Sequence, residues 1–319
     1  MCTVVSLTGD RFYFGRNMDI EGSFGEAVVF TPRHFALDLR RAPKIKTHYA
    51  ILGMAAIMDG FPLYADAMNE RGLCMAGLNF VGNAYYPPDR EVDGWRISPF
   101  ELIPWLLSTC TDLAAARRAL NTLQLVNVPF RQDVPLTPLH WIVADKTGSL
   151  VIESTSEGLF LYDDPEGVLA NNPPFDRQLA GIRAYEALTP AYRPTDPFVS
   201  LGLGAVGLPG DYSSASRFAR ACFLRRCALS SGATSLHDMY RILDSVAPPK
   251  GSVLAENGMP HYTTYSCCMD PQAQIYTYTT AENRRITAVR MSGAIMESDR
   301  LLTSPLCVTS DVWESVLEG

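Results

Sequence analysis

The order of the predicted strands and helices constrains the fold of this chain most strongly. Short β-branched or aromatic runs between turn signals predict strands at 2–7, 11–15, 26–30, 48–52, 72–79, 139–144, 150–153, 262–269, 274–279 and 286–291. Apolar periodicity and caps predict helices from 98 (kinked or ended by Pro104), from about 111, and over 175–188, 214–229 and 235–246. Strands and helices do not alternate regularly, which disfavours a doubly wound nucleotide-binding fold. The pattern favours an α+β protein in which helices cover stacked sheets.

Composition narrows the class of protein further. The chain has 319 residues, 47% of them hydrophobic, without a linker-like stretch, which predicts a single domain over 1–319. Its net charge of −7 argues against a nucleic-acid partner. No apolar run approaches the ~18 residues of a membrane-spanning helix, and the N-terminus does not resemble a secretory signal. We therefore expect no membrane partner and a cytoplasmic protein with reduced thiols.

The cysteines and histidines do not have the spacing of a metal site. There are eight cysteines and five histidines, with no C-x-x-C pair and no ligand-like histidine pair. Most of the cysteines are expected to be small buried hydrophobic residues. No metal is expected.

Cys2 is the first candidate for chemistry. Removal of Met1 would leave Cys2 with a free α-amine beside its thiol. An α-amine is partly neutral near pH 7 and can act as the base for its own side chain. A cysteine at position 2 is by itself a weak signal, because it is usually accidental.

Arg16 and Asp19 follow the first predicted hairpin. If the chain returns antiparallel, both residues come back beside Cys2. Arg16 could then hold a thiolate, and Asp19 could orient the α-amine. The alternative is a surface loop whose charges are solvated.

Two asparagines and one arginine complete the candidate set. Asn79 ends a nearly apolar strand, and Asn171 opens an Asn-Asn-Pro-Pro turn. An amide NH₂ group at a strand end could help to form an oxyanion hole, although ordinary turn chemistry also explains the Asn-Pro sequence. Arg217 lies near the start of a helix, where a solvent-facing arginine would also be unremarkable.

Seven segments occur in an order that resembles the choloylglycine hydrolase family, which contains bile salt hydrolases and penicillin V acylases. The matching segments are Met-Cys-Thr at 1–3, FGRNMD at 14–19, AMNERGL at 67–73, AGLNF at 76–80, NNPPFD at 171–176, GDYSSASRF at 210–218 and YSCCMD at 265–270. The resemblance extends over essentially the whole chain.

The resemblance implies an N-terminal-nucleophile hydrolase with a four-layer αββα sandwich of two antiparallel sheets. It implies an enzyme that needs no cofactor and no metal and is often a homotetramer. By this resemblance, Cys2 is the nucleophile and its own amine is the base. The implied supporting residues are Arg16 beside the thiol, Asp19 on the amine, Asn79 and Asn171 in the oxyanion hole, and Arg217 as an organising residue. Whether Asn171 or Asn172 is the donor in the oxyanion hole is left open.

The same resemblance suggests the substrate. Asn79 within Gly-Leu-Asn-Phe is similar to the bile-salt branch, so the expected reaction cleaves the amide between a bile acid and glycine or taurine. A steroid needs a broad apolar cleft. The candidate cleft residues are Met18, Ile20, Phe24, Ala56, Ile57, Met58, Phe130 and Leu136. Plain core packing is the alternative for each, and the choice between glycine and taurine stays open.

Three other functions are compatible with the sequence. The nearest is penicillin V acylase activity, and another is cleavage of acyl-homoserine lactones or fatty-acid amides. From a different class, the chain could be a non-catalytic bile-acid-binding protein on the same scaffold. Loss of Cys2, Asp19 or Asn171 would favour the last function, but all three residues are present.

Overall fold

The computed structural model describes residues 1–90, 94–192 and 202–317. The strands of this part are β1 Cys2–Thr8, β2 Phe12–Ile20, β3 Ala27–Thr31, β4 Ile51–Met58, β5 Phe61–Asn69, β6 Cys74–Asn79, β7 Trp95–Ile97, β8 Leu123–Leu125, β9 Leu139–Asp145, β10 Gly148–Thr155, β11 Gly158–Asp163, β12 Val168–Leu169, β13 Tyr262–Asp270, β14 Ile275–Thr280, β15 Thr287–Arg290 and β16 Leu302–Ser304. The α-helices are α1 Leu102–Thr109, α2 Leu113–Leu120, α3 Phe175–Gly181, α4 Ser214–Ser231, α5 Leu236–Ser245 and α6 Gly293–Met296. Short 3₁₀ helices cover Pro99–Glu101 and Ile182–Tyr185.

Two large antiparallel sheets form the centre of the molecule. One has six strands in the order β12-β1-β2-β13-β14-β15, and the other has eight in the order β11-β10-β9-β6-β5-β4-β3-β16. A separate parallel pair joins β7 and β8. We refer to the large sheets as the six-stranded and the eight-stranded sheet.

Helices cover the outer face of each sheet. Helices α4 and α5 pack on β1, β2 and β13 of the six-stranded sheet, whereas α1 and α2 pack on β5, β6, β9 and β10 of the eight-stranded sheet. The layers therefore run α, β, β, α, which confirms the expected sandwich. Within the described residues, no helix is long and apolar enough to cross a membrane.

The core follows this layering. One apolar cluster joins residues of both sheets, such as Val4, Phe14, Met68 and Ile142, to the inner faces of α4 and α5. A second cluster, which includes Trp105 of α1, lies on the α1 side of the eight-stranded sheet. Strands β6 and β9 at the centre of the eight-stranded sheet are buried on both faces, which explains why their sequences are mostly apolar with little alternation.

The register of β1, β2 and β13 brings the N-terminus to the centre of the six-stranded sheet. Cys2 pairs with Met18 of β2, and β2 pairs on its other side with β13, where Thr263 is opposite Asp19. The segment that carries Arg16 and Asp19 therefore lies beside Cys2, as the antiparallel return predicted. It is the second half of a strand and not a surface loop.

Several elements differ from the sequence-based expectation. Strands β5 and β11 were not predicted, because Pro62 and Asp66 interrupt the strand pattern of β5 and β11 is partly exposed. Pro104 does not end α1, since it lies in the first turn, where a missing N–H costs no intrahelical bond. A single helix was expected over 175–188, but the α-helix α3 ends at Gly181 and a 3₁₀ helix follows it. The division into one domain over 1–319 stays a prediction.

Candidate active site

Cys2 begins β1 and is 2% exposed. Its main-chain nitrogen donates to Asn171 Oδ1 at 2.7 Å. Its Sγ atom lies 3.2 Å from Nη2 of Arg16 and 3.7 Å from Sδ of Met18. The Arg16 guanidinium is therefore placed to interact with negative charge on the sulfur.

Arg16 is held from the opposite sheet. Its Nη1 donates to the main-chain oxygen of Ala65 at 2.8 Å and to Asp66 Oδ2 at 3.0 Å. Its Nη2, which contacts Cys2, also donates to the main-chain oxygen of Gly77 at 3.0 Å. The guanidinium is 1% exposed and is thus fixed in one orientation by acceptors of β5 and β6.

Asp19 is fully buried near the start of β1. Its Oδ1 accepts a hydrogen bond from Thr263 Oγ1 at 2.6 Å. Its Oδ2 has no hydrogen-bond partner among the described residues, and its nearest cation is Nη1 of Arg217 at 4.0 Å. Burial raises the pKa of Asp19, while the charge of Arg217 and the Thr263 hydrogen bond oppose that rise.

Arg217 contacts the main chain of Cys2 from the first turn of α4. Helix α4 begins there because the Ser213 side chain accepts a hydrogen bond from the main-chain nitrogen of Ser216. Nη1 of Arg217 donates to the Cys2 main-chain oxygen at 2.5 Å, and Nη2 donates to Asn171 Oδ1 at 2.9 Å. Burial lowers the pKa of Arg217.

Asn171 directs its side-chain oxygen, and not its NH₂ group, at Cys2. Oδ1 accepts from both Cys2 and Arg217, while Nδ2 donates to the main-chain oxygen of Asn79 at 2.8 Å. This geometry differs from the expected oxyanion role, because two donors already fix the oxygen toward Cys2. The neighbouring Asn172 donates to the main-chain oxygen of Val81 instead, so Asn171 is the member of the pair that contacts Cys2.

Two buried side chains that were not predicted hold the Asn171 loop. Nε2 of Gln178 donates to the main-chain oxygen of Asn171 at 2.5 Å and to that of Pro173 at 2.8 Å. Glu153 Oε1 accepts from the main-chain nitrogen of Phe175 at 3.0 Å. Glu153 follows the apolar run 150–152, which is a weak sequence signal, whereas Gln178 directly follows Asp176 and Arg177 and has none.

A cavity of about 680 Å³ opens beside the thiol. Cys2, Arg16 and Asn79 line it, and most of its other lining is apolar. Five of the expected cleft residues line it, namely Met18, Ile20, Phe24, Phe130 and Leu136. Apolar wall residues that were not predicted are Leu63, Tyr64, Ala65, Pro99, Phe100 and Leu139. Phe100 and Phe130 pack edge to face, 5.3 Å between ring centres.

Three expected cleft residues lie outside this lining. Ala56, Ile57 and Met58 form the end of β4, and Ile57 is 42% exposed. The cavity wall is built from β5 instead, because β5 separates β4 from β6 in the eight-stranded sheet. Their assignment to the cleft is therefore corrected.

Within residues 1–90, 94–192 and 202–317, no group of three or more His, Cys, Asp or Glu side chains is placed to hold a metal ion. The polar side chains around Cys2 bind one another, Cys2 and the main chain. They are two carboxylates, Asp19 and Asp66, two arginines, Arg16 and Arg217, and the amide of Asn171.

Comparison with known proteins decides the family. The sequence model of one protein family, the linear amide C–N hydrolases of the choloylglycine hydrolase family, matches residues 2–304 of this chain. This chain belongs to that family. It is therefore an amidohydrolase of the type that acts on linear amides.

Individual relatives and solved structures agree with this membership. The chain is 43% identical to a bile salt hydrolase/transferase of Lactiplantibacillus plantarum over 96% of its own length and 97% of the relative's. It is 36% identical to a bile salt hydrolase/transferase of Clostridium perfringens, with 95% and 96% covered. A crystal structure of a variant of the conjugated bile acid hydrolase from Clostridium perfringens superposes with a TM-score of 0.92 at 34% identity, covering 98% of this chain and 99% of that one.

A more distant structure shares the fold alone. Penicillin V acylase from Agrobacterium tumefaciens matches with a TM-score of 0.73 at 19% identity, covering 91% of this chain and 86% of that chain.

Proposed function

We propose that this chain is a conjugated bile salt hydrolase, which cleaves the amide between a bile acid and glycine or taurine through a thioester on Cys2. The observation that carries the proposal is the position of the Cys2 thiol. It lies 3.2 Å from Arg16 and lines a mainly apolar cavity of about 680 Å³. The names of the relatives with 43% and 36% identity support the substrate class.

The first chemical step uses Cys2 and its own amine. After removal of Met1, the α-amine of Cys2 takes the thiol proton, and the sulfur attacks the substrate carbonyl carbon. Asn171 Oδ1 already accepts from this nitrogen, and Asp19 Oδ2 is buried without a hydrogen-bond partner among the described residues. Both oxygens suit an ammonium group, which supports their role in orienting the amine.

The tetrahedral intermediate needs a donor for its oxyanion. Asn79 lines the cavity beside Cys2, which supports its side-chain amide as that donor. Asn171 fixes the main chain at Asn79 by its 2.8 Å hydrogen bond, so its contribution to the oxyanion hole is to position Asn79. The ammonium of Cys2 then protonates the leaving nitrogen as the C–N bond breaks.

Hydrolysis of the thioester completes the cycle. The freed α-amine takes a proton from a water molecule, the oxygen attacks the acyl carbon, and the C–S bond breaks to release the bile acid. Arg217 holds the Cys2 main-chain oxygen and Asn171 Oδ1 through both steps. No redox change occurs.

The shape of the cavity supports an amphipathic acyl group. Aromatic and aliphatic walls from β5, the segment after α2 and the 3₁₀ helix at Pro99–Glu101 suit a rigid apolar ring system. Among the residues that the structure describes, the only charged side chains in the lining are Arg16 and Glu21, and Arg16 is already engaged with Asp66.

The test is side-by-side turnover of glycocholate, taurocholate and penicillin V by the chain without Met1. Fast release of glycine or taurine with little action on penicillin V is the expected result, and it would rank the two head groups. A preference for penicillin V would retain the mechanism and reassign the substrate. Bile salt binding without turnover of any substrate would mean a non-catalytic binding protein.

We also infer a cytoplasmic homotetramer, as the family resemblance suggests. Four large apolar side chains near the C-terminus support a contact between copies, because Val312, Trp313, Val316 and Leu317 are 76–95% exposed. Light scattering coupled to size exclusion tests the oligomeric state, and a monomer would contradict it. Cell fractionation of the producing organism tests the location.

A further inference from the structure

A buried carboxylate lies directly behind Arg16. Asp66 belongs to β5 of the eight-stranded sheet and is 0% exposed. Its Oδ2 accepts from Nη1 of Arg16 at 3.0 Å, while Nη2 of the same guanidinium lies 3.2 Å from Cys2 Sγ. One cation therefore stands between a carboxylate and the thiol.

Three more donors converge on Asp66 from the six-stranded sheet. The Tyr265 hydroxyl donates to Oδ2 at 2.7 Å, and the Tyr276 hydroxyl donates to Oδ1 at 2.7 Å. The Cys267 thiol donates to Oδ1 at 3.4 Å. Burial raises the pKa of all three groups well above their usual values, so they keep their protons and remain donors. Four donors, one of them a cation, stabilise the charged carboxylate.

We propose that Asp66 is a positioning residue that holds Arg16 against Cys2 and, as a competing anion, sets the pH range in which the thiol reacts. This proposal rests on the proposed role of Cys2 as nucleophile. Asp66 shares the charge of Arg16 with the thiolate, so less of that charge favours ionisation of Cys2. Without the Asp66 charge, the thiolate would be the anion left to balance Arg16.

Titratable or charged groups surround the Asp66–Arg16 pair on several sides. The groups that face it are Arg16 and Asp19 on β2, Tyr265 and Cys267 on β13, Tyr276 on β14, Cys74 on β6, Arg217 on α4 and the amine at the start of β1. Arg217 contacts the main-chain oxygen of Cys2 and the side-chain oxygen of Asn171, whereas Asp66 contacts Arg16. A change at Asp66 therefore alters the charge beside Arg16 without removing a contact of Arg217.

The first variant is Asp66→Asn, which removes the charge and retains the shape. The amide oxygen can accept from Arg16, and the amide NH₂ can donate to the Tyr276 oxygen. The measurement is the rate of Cys2 alkylation by iodoacetamide between pH 4 and 9, with mass spectrometry to locate the modified thiol. We expect the pH of half-maximal rate to fall by about one unit.

The second variant is Tyr265→Phe, which should act in the opposite direction. It removes one donor from Oδ2, so the carboxylate is less neutralised and competes more strongly for Arg16. We expect the half-maximal pH to rise by roughly 0.3 to 0.5 units. The control is Asp164→Asn, another buried carboxylate, which does not line the cavity and should leave the profile unchanged.

Opposite shifts in the two variants support the proposal. Unchanged profiles in both, with only lowered melting temperatures, would overturn it and leave Asp66 a structural residue. Should Asp66→Asn fail to fold, the sign of the Tyr265→Phe shift decides. Alkylation of the wild type at a thiol other than Cys2 would instead overturn the proposed function, on which this proposal rests.

Discussion

The side chains around Cys2 contact separate parts of that residue. Arg16 contacts the thiol, Asn171 accepts from the main-chain nitrogen, and Arg217 donates to the main-chain oxygen. The main chain of Cys2 is therefore held in place by contacts that do not involve the sulfur. Removal of the thiol should abolish catalysis and leave the fold intact.

Cys2→Ala is the first prediction at the residue scale. It removes Sγ, but Arg16 keeps its contacts with Ala65, Asp66 and Gly77, so the guanidinium remains satisfied. We expect hydrolysis of glycocholate to fall by at least about 10⁴-fold, as for loss of other covalent nucleophiles. The melting temperature should stay within a few degrees, as measured by calorimetry.

Matched controls for this variant are thiols outside the cavity lining. Cys222 on α4 and Cys74 on β6 are buried, and burial raises the pKa of both thiols well above its usual value. Their replacement by alanine should retain activity, at a modest cost in stability from the small cavity. Hydrolysis that survives Cys2→Ala would remove Cys2 from the mechanism.

The sequence indicates some of the residues of this site better than others. Cys2, Arg16, Asp19, Asn171 and Arg217 were candidates from motifs, and the structure brings them together. Asp66 could not be found in this way, because its partners come from another sheet and lie about 50 to 210 positions away along the chain. The direction of the Asn171 amide likewise depends on the donors that surround it.

At the scale of elements, β5 connects the site with the eight-stranded sheet. It supplies the Ala65 oxygen and Asp66 to Arg16, and Leu63 and Tyr64 to the cavity wall. Its neighbour β4 approaches it closely at Gly53, which is paired with Ala67. The spacing of these two strands therefore affects the position of Arg16.

Gly53→Ala should disturb this strand pair. A Cβ atom at Gly53 would lie 2.1 Å from the Asp66 main-chain oxygen and 2.5 Å from Ala67 Cα, and neither is a flexible group. We expect a loss of about 3 kcal/mol in the free energy of unfolding. Activity should fall as well, because Asp66 and Ala65 must shift. Urea denaturation and glycocholate turnover measure the two effects.

Gly181→Ala is the matched control for this substitution. Gly181 ends α3 with helical dihedral angles, and a Cβ there meets no atom within 4 Å. Alanine should leave stability unchanged or raise it by up to about 1 kcal/mol. Equal effects of the two substitutions would show that strand spacing is not the cause.

Much of the element order could be predicted from local patterns. Helices α4 and α5 were found almost to the residue, because each has a serine cap and an apolar face. Strand β5 was missed because Asp66 is polar within a strand and becomes compatible with burial only through partners on the other sheet. Local sequence cannot show a partner that tertiary packing supplies.

At the scale of the whole molecule, buried ionisable groups couple stability to pH. Asp164 is 6% exposed and accepts from the main-chain nitrogens of Glu166 and Gly167 and from Ser149 Oγ. Burial raises its pKa from 3.8 to about 7, although these hydrogen bonds oppose the rise. The folded protein therefore retains a proton over a range in which the unfolded chain has lost it.

The variant Asp164→Asn should reveal this coupling between stability and pH. Because the folded pKa is raised, the contribution of Asp164 to stability is fully present below about pH 4 and is lost as pH rises through about 7. An asparagine can keep Oδ1 on the two main-chain donors and does not titrate. We therefore expect the variant to gain stability relative to wild type between pH 4 and 7, by about 4 kcal/mol at most. Urea denaturation at several pH values measures this difference.

A carboxylate with the opposite shift provides the control. Asp112 caps α2, and its hydrogen bond from the Ala115 main chain lowers its pKa, so its contribution is present above about pH 3.8 and lost only below it. Asp112→Asn retains the cap and should show a constant stability difference from wild type between pH 5 and 8. The two variants share every other titrating group, including His140, whose pKa is lowered by burial. A flat difference for Asp164→Asn as well would mean that Asp164 is ionised in the folded protein throughout this range and that its three hydrogen-bonding neighbours and Arg225 outweigh its burial.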